Sequence, residues 1–217
     1  MEVITDYIEF WQDRYDSIFE YVLQHITISF VAIVLAVVII IPLAIYMTKI
    51  KNEKVKNAIF SISNILQTIP TIAMLALMIP FLGIGFKPAV AALFLYSILP
   101  LLRNTYSGIS SIDQSIVEAA KGMGFSVIQR ILKIELPLAL PYIMSGIRTT
   151  SVYIISWTAL AAVVGAGGLG DLILAGIGFN DKNMIFTGTI LSILIALILD
   201  GLLGRVEKSI FKKYKRG

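Results

Sequence analysis

Five long apolar runs, near residues 26–47, 58–82, 88–104, 138–165 and 185–203, decide most of what this chain can become. A helix needs roughly 20 residues to cross about 30 Å of hydrocarbon. Inside lipid every backbone amide and carbonyl must be satisfied within the segment, which leaves helices or closed barrels, and each run is too long for a barrel strand. Composition agrees: 57% of the 217 residues are hydrophobic and 15% charged, against about 45–50% and about 25% in soluble domains. The expected fold is all-α and integral to a membrane, with five transmembrane helices in a single domain over residues 1–217.

The first run is not read as a cleaved signal. The residues ahead of it are acidic, and neither a basic leader nor a small-residue cleavage site is present. The chain has no cysteine, so disulfide and thiol chemistry are excluded.

Five spans put the termini on opposite sides, and the Lys/Arg distribution chooses between the two orientations. One side collects Lys49, Lys51, Lys54 and Lys56, then Arg103, Lys121, Arg130 and Lys133, then Arg205, Lys208, Lys212, Lys213, Lys215 and Arg216. The other holds Arg14, Lys87 and Lys182 beside numerous acids, Asp171 and Asp181 among them. The basic side is expected to be cytoplasmic and the N-terminus outside. The tail RVEKSIFKKYKRG then reads as a juxtamembrane anchor on anionic lipid rather than a grip on nucleic acid. Ahead of the first span, Ile4, Ile8, Trp11, Tyr15, Ile18 and Val22 recur at helical spacing. Residues 1–25 are therefore expected to form a helix lying in the outer headgroup layer.

Between the third and fourth spans lie more than thirty residues, NTYSGISSIDQSIVEAAKGMGFSVIQRILKIELP, too many for a plain connection. They read as two short helices broken at Gly122 and Gly124, the second stopped by Pro137. Ile128, Ile131, Leu132 and Leu136 fall roughly on one face of that second helix, leaving Gln129, Arg130 and Lys133 solvated: a docking or membrane-skimming surface. Ser115 and Glu118 also fit a capping box.

Glu118, Ala119 and Ala120, then Gly124 four residues on, then a hydrophobic and basic stretch to Leu136 and Pro137, resemble the EAA loop of ABC importer permeases. The resemblance implies the type I importer fold, with residues 111–137 as a cytoplasmic coupling loop that seats in a groove of an ATPase subunit. Residues 66–109 and the stretch VVGAGGLGDLI (163–173) are similar to permeases for osmoprotectants: glycine betaine, carnitine and choline. The resemblance further implies a non-catalytic translocation subunit in the bacterial cytoplasmic membrane, without a cofactor of its own. Its partner ATPase would bind ATP and Mg. Its other partners would be a second permease, identical or paralogous, and an external substrate-binding protein. An importer for methionine or another small zwitterion is the nearest alternative. A self-sufficient channel or secondary transporter would show inverted repeats or an intramembrane carboxylate cluster, and neither is evident.

The glycines of VVGAGGLGDLI also match G-x-G-x-x-G. A dinucleotide cradle, however, must follow a strand and open a helix, whereas this stretch closes an apolar run. Gly165, Gly167, Gly168 and Gly170 are instead expected to supply the positive backbone angles of a tight re-entrant turn, with Asp171 capping the next helix. In the resembled family this turn lies at the external gate. No Walker A sequence or metal constellation is found, and His25, the lone histidine, reads as an interfacial hydrogen-bonding residue.

Polar groups inside spans mark protein contacts or a water-filled path. Asn64, Gln67, Thr68 and Thr71 follow three- and four-residue steps and share a face, with Pro70 among them expected to loosen the local backbone hydrogen bonding; they suit either interhelical contact or pathway lining. Arg148 needs a partner, and Asp200 is the only acid within an expected span, so the two are expected to pair. Tyr153 and Trp157, four apart, read as packing or as a transient contact for a quaternary ammonium.

Overall fold

In the computed structural model, which describes the backbone of residues 2–214 and the side chains of residues 5–210, the chain is helical almost throughout, and no strand occurs among the described residues. Helix α1 (Glu2–Lys49) is unbroken over 48 residues. The expected boundary between a surface helix over 1–25 and a span from 26 is therefore absent, because nothing near that position in the sequence breaks a helix. At 1.5 Å per residue α1 is about 72 Å long, more than twice the hydrocarbon thickness of about 30 Å. Its N-terminal part is held by protein: Ile18 is buried, and Trp11 and Tyr21 pack with it against Leu172 and Met184. Ile8 and Tyr15 stay exposed, so the apolar face read from the sequence is divided. The side chain of Ile4, like those from Phe211 onward in the basic tail, lies outside the described residues.

The second expected span is two helices, α2 (Glu53–Thr68) and α3 (Thr71–Leu82), meeting at 104°. Pro70 does more than loosen the backbone. It lacks an amide and forces Ile69 into an extended conformation (φ −71°, ψ 127°), which ends α2. Helix α4 (Phe86–Ser110) then runs back beside the pair. The Phe60 and Tyr106 rings meet edge to face at 5.2 Å, Arg103 donates to Asn64 Oδ1 at 2.9 Å, and the Tyr96 hydroxyl donates to the Ile69 carbonyl.

In the loop, α5 (Gln114–Gly122) and α6 (Val127–Arg130) are followed by a five-residue π-helical segment (Ile131–Glu135) and α7 (Leu136–Thr158). Pro137 does not stop a helix here. The wider turn lets the Leu136 amide donate to the Ile131 carbonyl, five residues back, and Pro137 falls among the first residues of α7, where a missing amide costs least. A 3₁₀ segment (Ala159–Val164) continues α7, so residues Val127–Val164 form one helical rod of 38 residues. The short α8 (Leu169–Phe179) and the long α9 (Lys182–Tyr214) complete the chain.

Helix α4 is the axis of the bundle and packs most extensively on α1 and α7. One core joins Ile28, Ala32, Leu93, Tyr96, Ile154 and Val164; a second joins Ala36, Ile40, Ala44, Met47, Leu101 and Leu102. Small residues on α1 let the backbones approach closely, as helix packing in lipid requires. Of the long apolar helices α9 is the least buried.

Candidate functional site

Asp113 precedes α5, and its carboxylate accepts the Ser115 amide at 2.9 Å, which holds it below the usual carboxylate range. The capping box expected of Ser115 and Glu118 is thus not formed, since Ser115 is already inside the helix. Glu118 instead accepts from Gln114 Nε2 at 3.3 Å. Ala120 is fully buried while Glu118 and Ala119 face out. The helix continues through Gly122, and the reversal is made at Gly124 alone (φ 82°), sealed by the Phe125 amide on the Ala120 carbonyl at 3.1 Å. The box that does form pairs Ser126 with Gln129 at the start of α6; its S-x-x-Q signature is readable in the sequence and was missed. Ile128 and Leu132 are 68% and 60% exposed, next to exposed Met123 and Val127. Leu136 turns inward onto Ile109, Ala139 and Ile143, so the expected single face splits. Glu118, Lys121, Gln129 and Lys133 of the same segment are exposed as well, so the loop presents apolar and charged side chains together to its surroundings.

At the other end of the rod, Gly165, Gly167 and Gly168 have φ of 69°, 82° and 86°. Gly170 differs from the turn expected of it: it is helical, and a Cβ there would lie 1.8 Å from the Ala159 carbonyl oxygen, so it permits close approach. Asp171 does not cap α8. Gly168 holds that position without a side-chain bond, and Asp171 is the third residue of the first turn, where its charge suits the helix dipole. Gln24 accepts the Gly168 amide at 2.8 Å, and His25, fully buried rather than interfacial, meets the Ile155 carbonyl through Nε2 at 3.1 Å. Helix α1 thereby grips the turn, a contact that nothing in the local sequence signals.

Of the four polar residues around Pro70, Asn64 and Gln67 bond to α4, through Arg103 and the Tyr96 carbonyl. Thr68 bonds within its own helix at 2.7 Å. Thr71 opens α3 beyond the bend and does not share their face.

Arg148 meets Asp200 in a bidentate pair, Nε to Oδ1 at 2.6 Å and Nη2 to Oδ2 at 2.8 Å, and its third nitrogen reaches Glu207 at 3.1 Å. Glu207, two turns beyond Asp200, was missed because it lies past the expected span. These charges border a recess of about 340 Å³ lined also by Ser145, Thr149, Val152 and Tyr153. The Tyr153 and Trp157 rings lie 5.5 Å apart, and Tyr96 is 5.0 Å from Trp157. Ser145, Thr149, Tyr153 and Ser156 are exposed along one face of α7. A polar stripe on a spanning helix suits water or another chain better than lipid.

Comparison with known proteins places these features in context. The family described as binding-protein-dependent transport system inner membrane component matches residues 40–212. The choline transport system permease protein OpuBB of Bacillus subtilis (strain 168) is 40% identical over 203 residues, 94% of this chain and 93% of that protein. The glycine betaine/carnitine/choline transport system permease protein OpuCB of the same organism is 41% identical over 194 residues, 89% of this chain and 88% of that one. In fold, the chain is similar to an inward-facing structure of the MetNI methionine ABC transporter, with a TM-score of 0.81 at 23% identity, covering 89% of this chain and 95% of that one.

Proposed function

Since the chain belongs to the binding-protein-dependent transport system inner membrane components, we propose that it is the translocation subunit of an ATP-driven importer for osmoprotectants of the glycine betaine, carnitine and choline kind. The observation that carries the reading is identity of about two residues in five to such permeases over about nine-tenths of the chain. The methionine transporter shares the fold at an identity too low to bring its substrate with it.

The parts then have mechanical roles. The exposed patch around Ile128 and Leu132, with Glu118 beside it, seats in an ATPase subunit, which holds ATP and Mg. The 38-residue rod joins that patch to the glycine turn without a break, so a push on the loop is delivered along the axis of α7 to the external gate. A second permease, identical or paralogous, closes the path along the polar stripe of α7, and a binding protein delivers solute over Gly165–Gly170. The chain performs no chemistry; it converts closure of a partner into a change of access between two states.

The test is uptake of labelled glycine betaine, carnitine and choline by vesicles containing the complete complex. Accumulation that requires both ATP and the binding protein is expected. Flux through this polypeptide alone, or without ATP, overturns the reading.

A further inference from the structure

Glu135 is the one buried acid among the described residues, 2% exposed. It ends the π-helical segment, and one carboxylate oxygen accepts a hydrogen bond from the ammonium of Lys49, the last residue of α1. Its other oxygen is buried without a partner. The pair joins elements far apart in sequence: the inner end of the first spanning helix and the junction between loop and rod. It is also asymmetric. The Lys49 side chain is 33% exposed and that of Glu135 only 3%, so the ammonium can withdraw into water while the carboxylate cannot follow.

The π turn adds a second property. It holds one residue more than an α turn, as the bond from the Leu136 amide to the Ile131 carbonyl records. Relaxing it to α spacing rotates the helix on one side by about 100° relative to the other, which takes Glu135 away from Lys49. A buried ion pair is seldom the most stabilising choice for its site, and its best-attested use is to fix registry. Here the registry is that of the loop against α1.

We propose that Lys49 and Glu135 are positioning residues of the transport cycle. Their contact locks the loop-to-rod junction against the first spanning helix in one state, and its rupture, with a shift of the π turn, passes the loop's movement to α1 in the other. The inference rests on the reading of the chain as a motor-driven permease.

Two measurements on the reconstituted complex with its ATPase and binding protein decide it. In the first, Lys49→Met and Glu135→Gln are expected to lower solute taken up per ATP hydrolysed by about fivefold or more while ATP hydrolysis persists, and the Lys49→Glu/Glu135→Lys exchange to recover most of that ratio. A purely structural contact lowers assembly, hydrolysis and uptake together and leaves the ratio unchanged, which overturns the proposal. In the second, no native cysteine competes for label, and exposed Tyr46 and Leu138, one turn from each partner, take nitroxides as Tyr46→Cys and Leu138→Cys with the ion pair intact. The distance between the labels is expected to change by about 2 Å or more between nucleotide-free and ATP-trapped complexes; an unchanged distance overturns the proposal even where the charge variants fail to assemble. A distance change in a complex that takes up no quaternary ammonium solute upholds the joint and removes the substrate assignment.

Discussion

The glycines at 165, 167, 168 and 170 look alike in the sequence and act differently in the fold. Three occupy positive φ; the fourth is a helical residue whose Cβ would overlap a backbone oxygen at 1.8 Å. A carbonyl cannot swing aside as a side chain can, so Gly170→Ala is expected to cost about 1–3 kcal/mol. Gly178→Ala, in the same helix with nothing within 4 Å of the added carbon, is expected to be neutral or stabilising by up to about 1 kcal/mol. Thermal unfolding in detergent separates the two. The distinction is illegible in the sequence because the clash comes from a 3₁₀ segment eleven residues earlier. Arg148 and Asp200 were legible as partners, since neither is tolerable alone in lipid; Glu207 was not, as an acid beyond a span needs no explanation. With both acids in place, Arg148→Gln leaves two like charges unpaired, whereas Asp200→Asn leaves Arg148 with Glu207. Arg148→Gln is therefore expected to lower the unfolding temperature more than Asp200→Asn; the reverse order means that the pair does not carry the contact between α7 and α9.

Among the elements, Pro70 and Pro137 separate what pattern reading can and cannot supply. Both were visible as helix disturbances. Pro70 follows an extended residue and splits a span; Pro137 follows a π turn that absorbs it and leaves a rod intact. Residue type alone does not decide the outcome, since Pro42, Pro100 and Pro141 also lie inside helices that continue through them. The loop's short helices were legible in outline, yet Asp113 and Ser126 cap them where Ser115 was expected to. Ile128 and Leu132 are exposed, so Ile128→Asp and Leu132→Asp have little of the permease's own packing to lose. Their expected effect is on association: an unfolding temperature within about 2 °C of the parent, with retention of the ATPase subunit during purification down by about tenfold or more. A large loss of stability with retention unchanged places the patch in the permease's own core and ends its assignment as the coupling surface.

For the molecule as a whole, the bend between α2 and α3 decides how many times the chain crosses, and hence which side each loop faces. Four helices are long and apolar enough to span, or five segments if the bent pair counts as one. The pair travels the length of α4: Phe60 meets Tyr106 near the C-terminal end of α4, and Gly83–Gly85 link Leu82 to its N-terminal end. The pair thus keeps pace with a spanning helix from end to end, and on that ground we propose that it counts as one span. Four crossings would also put Lys87 on the side of Lys51, Lys54 and Lys56 and send Arg103, Lys121 and Lys133 outward, against the positive-inside rule; five crossings put Lys51, Lys54 and Lys56 on the same side as those basic residues. Single cysteines in this otherwise cysteine-free chain test the count. With a membrane-impermeant maleimide, Lys87→Cys and Lys182→Cys are expected to react on intact cells, and Lys54→Cys and Lys133→Cys only after permeabilisation. Should Lys87→Cys and Lys54→Cys react from the same side, the bent pair is a re-entrant loop, the termini share a face, and the proposed path of force along the rod from Val127 to Val164, between a cytoplasmic motor and an external gate, fails.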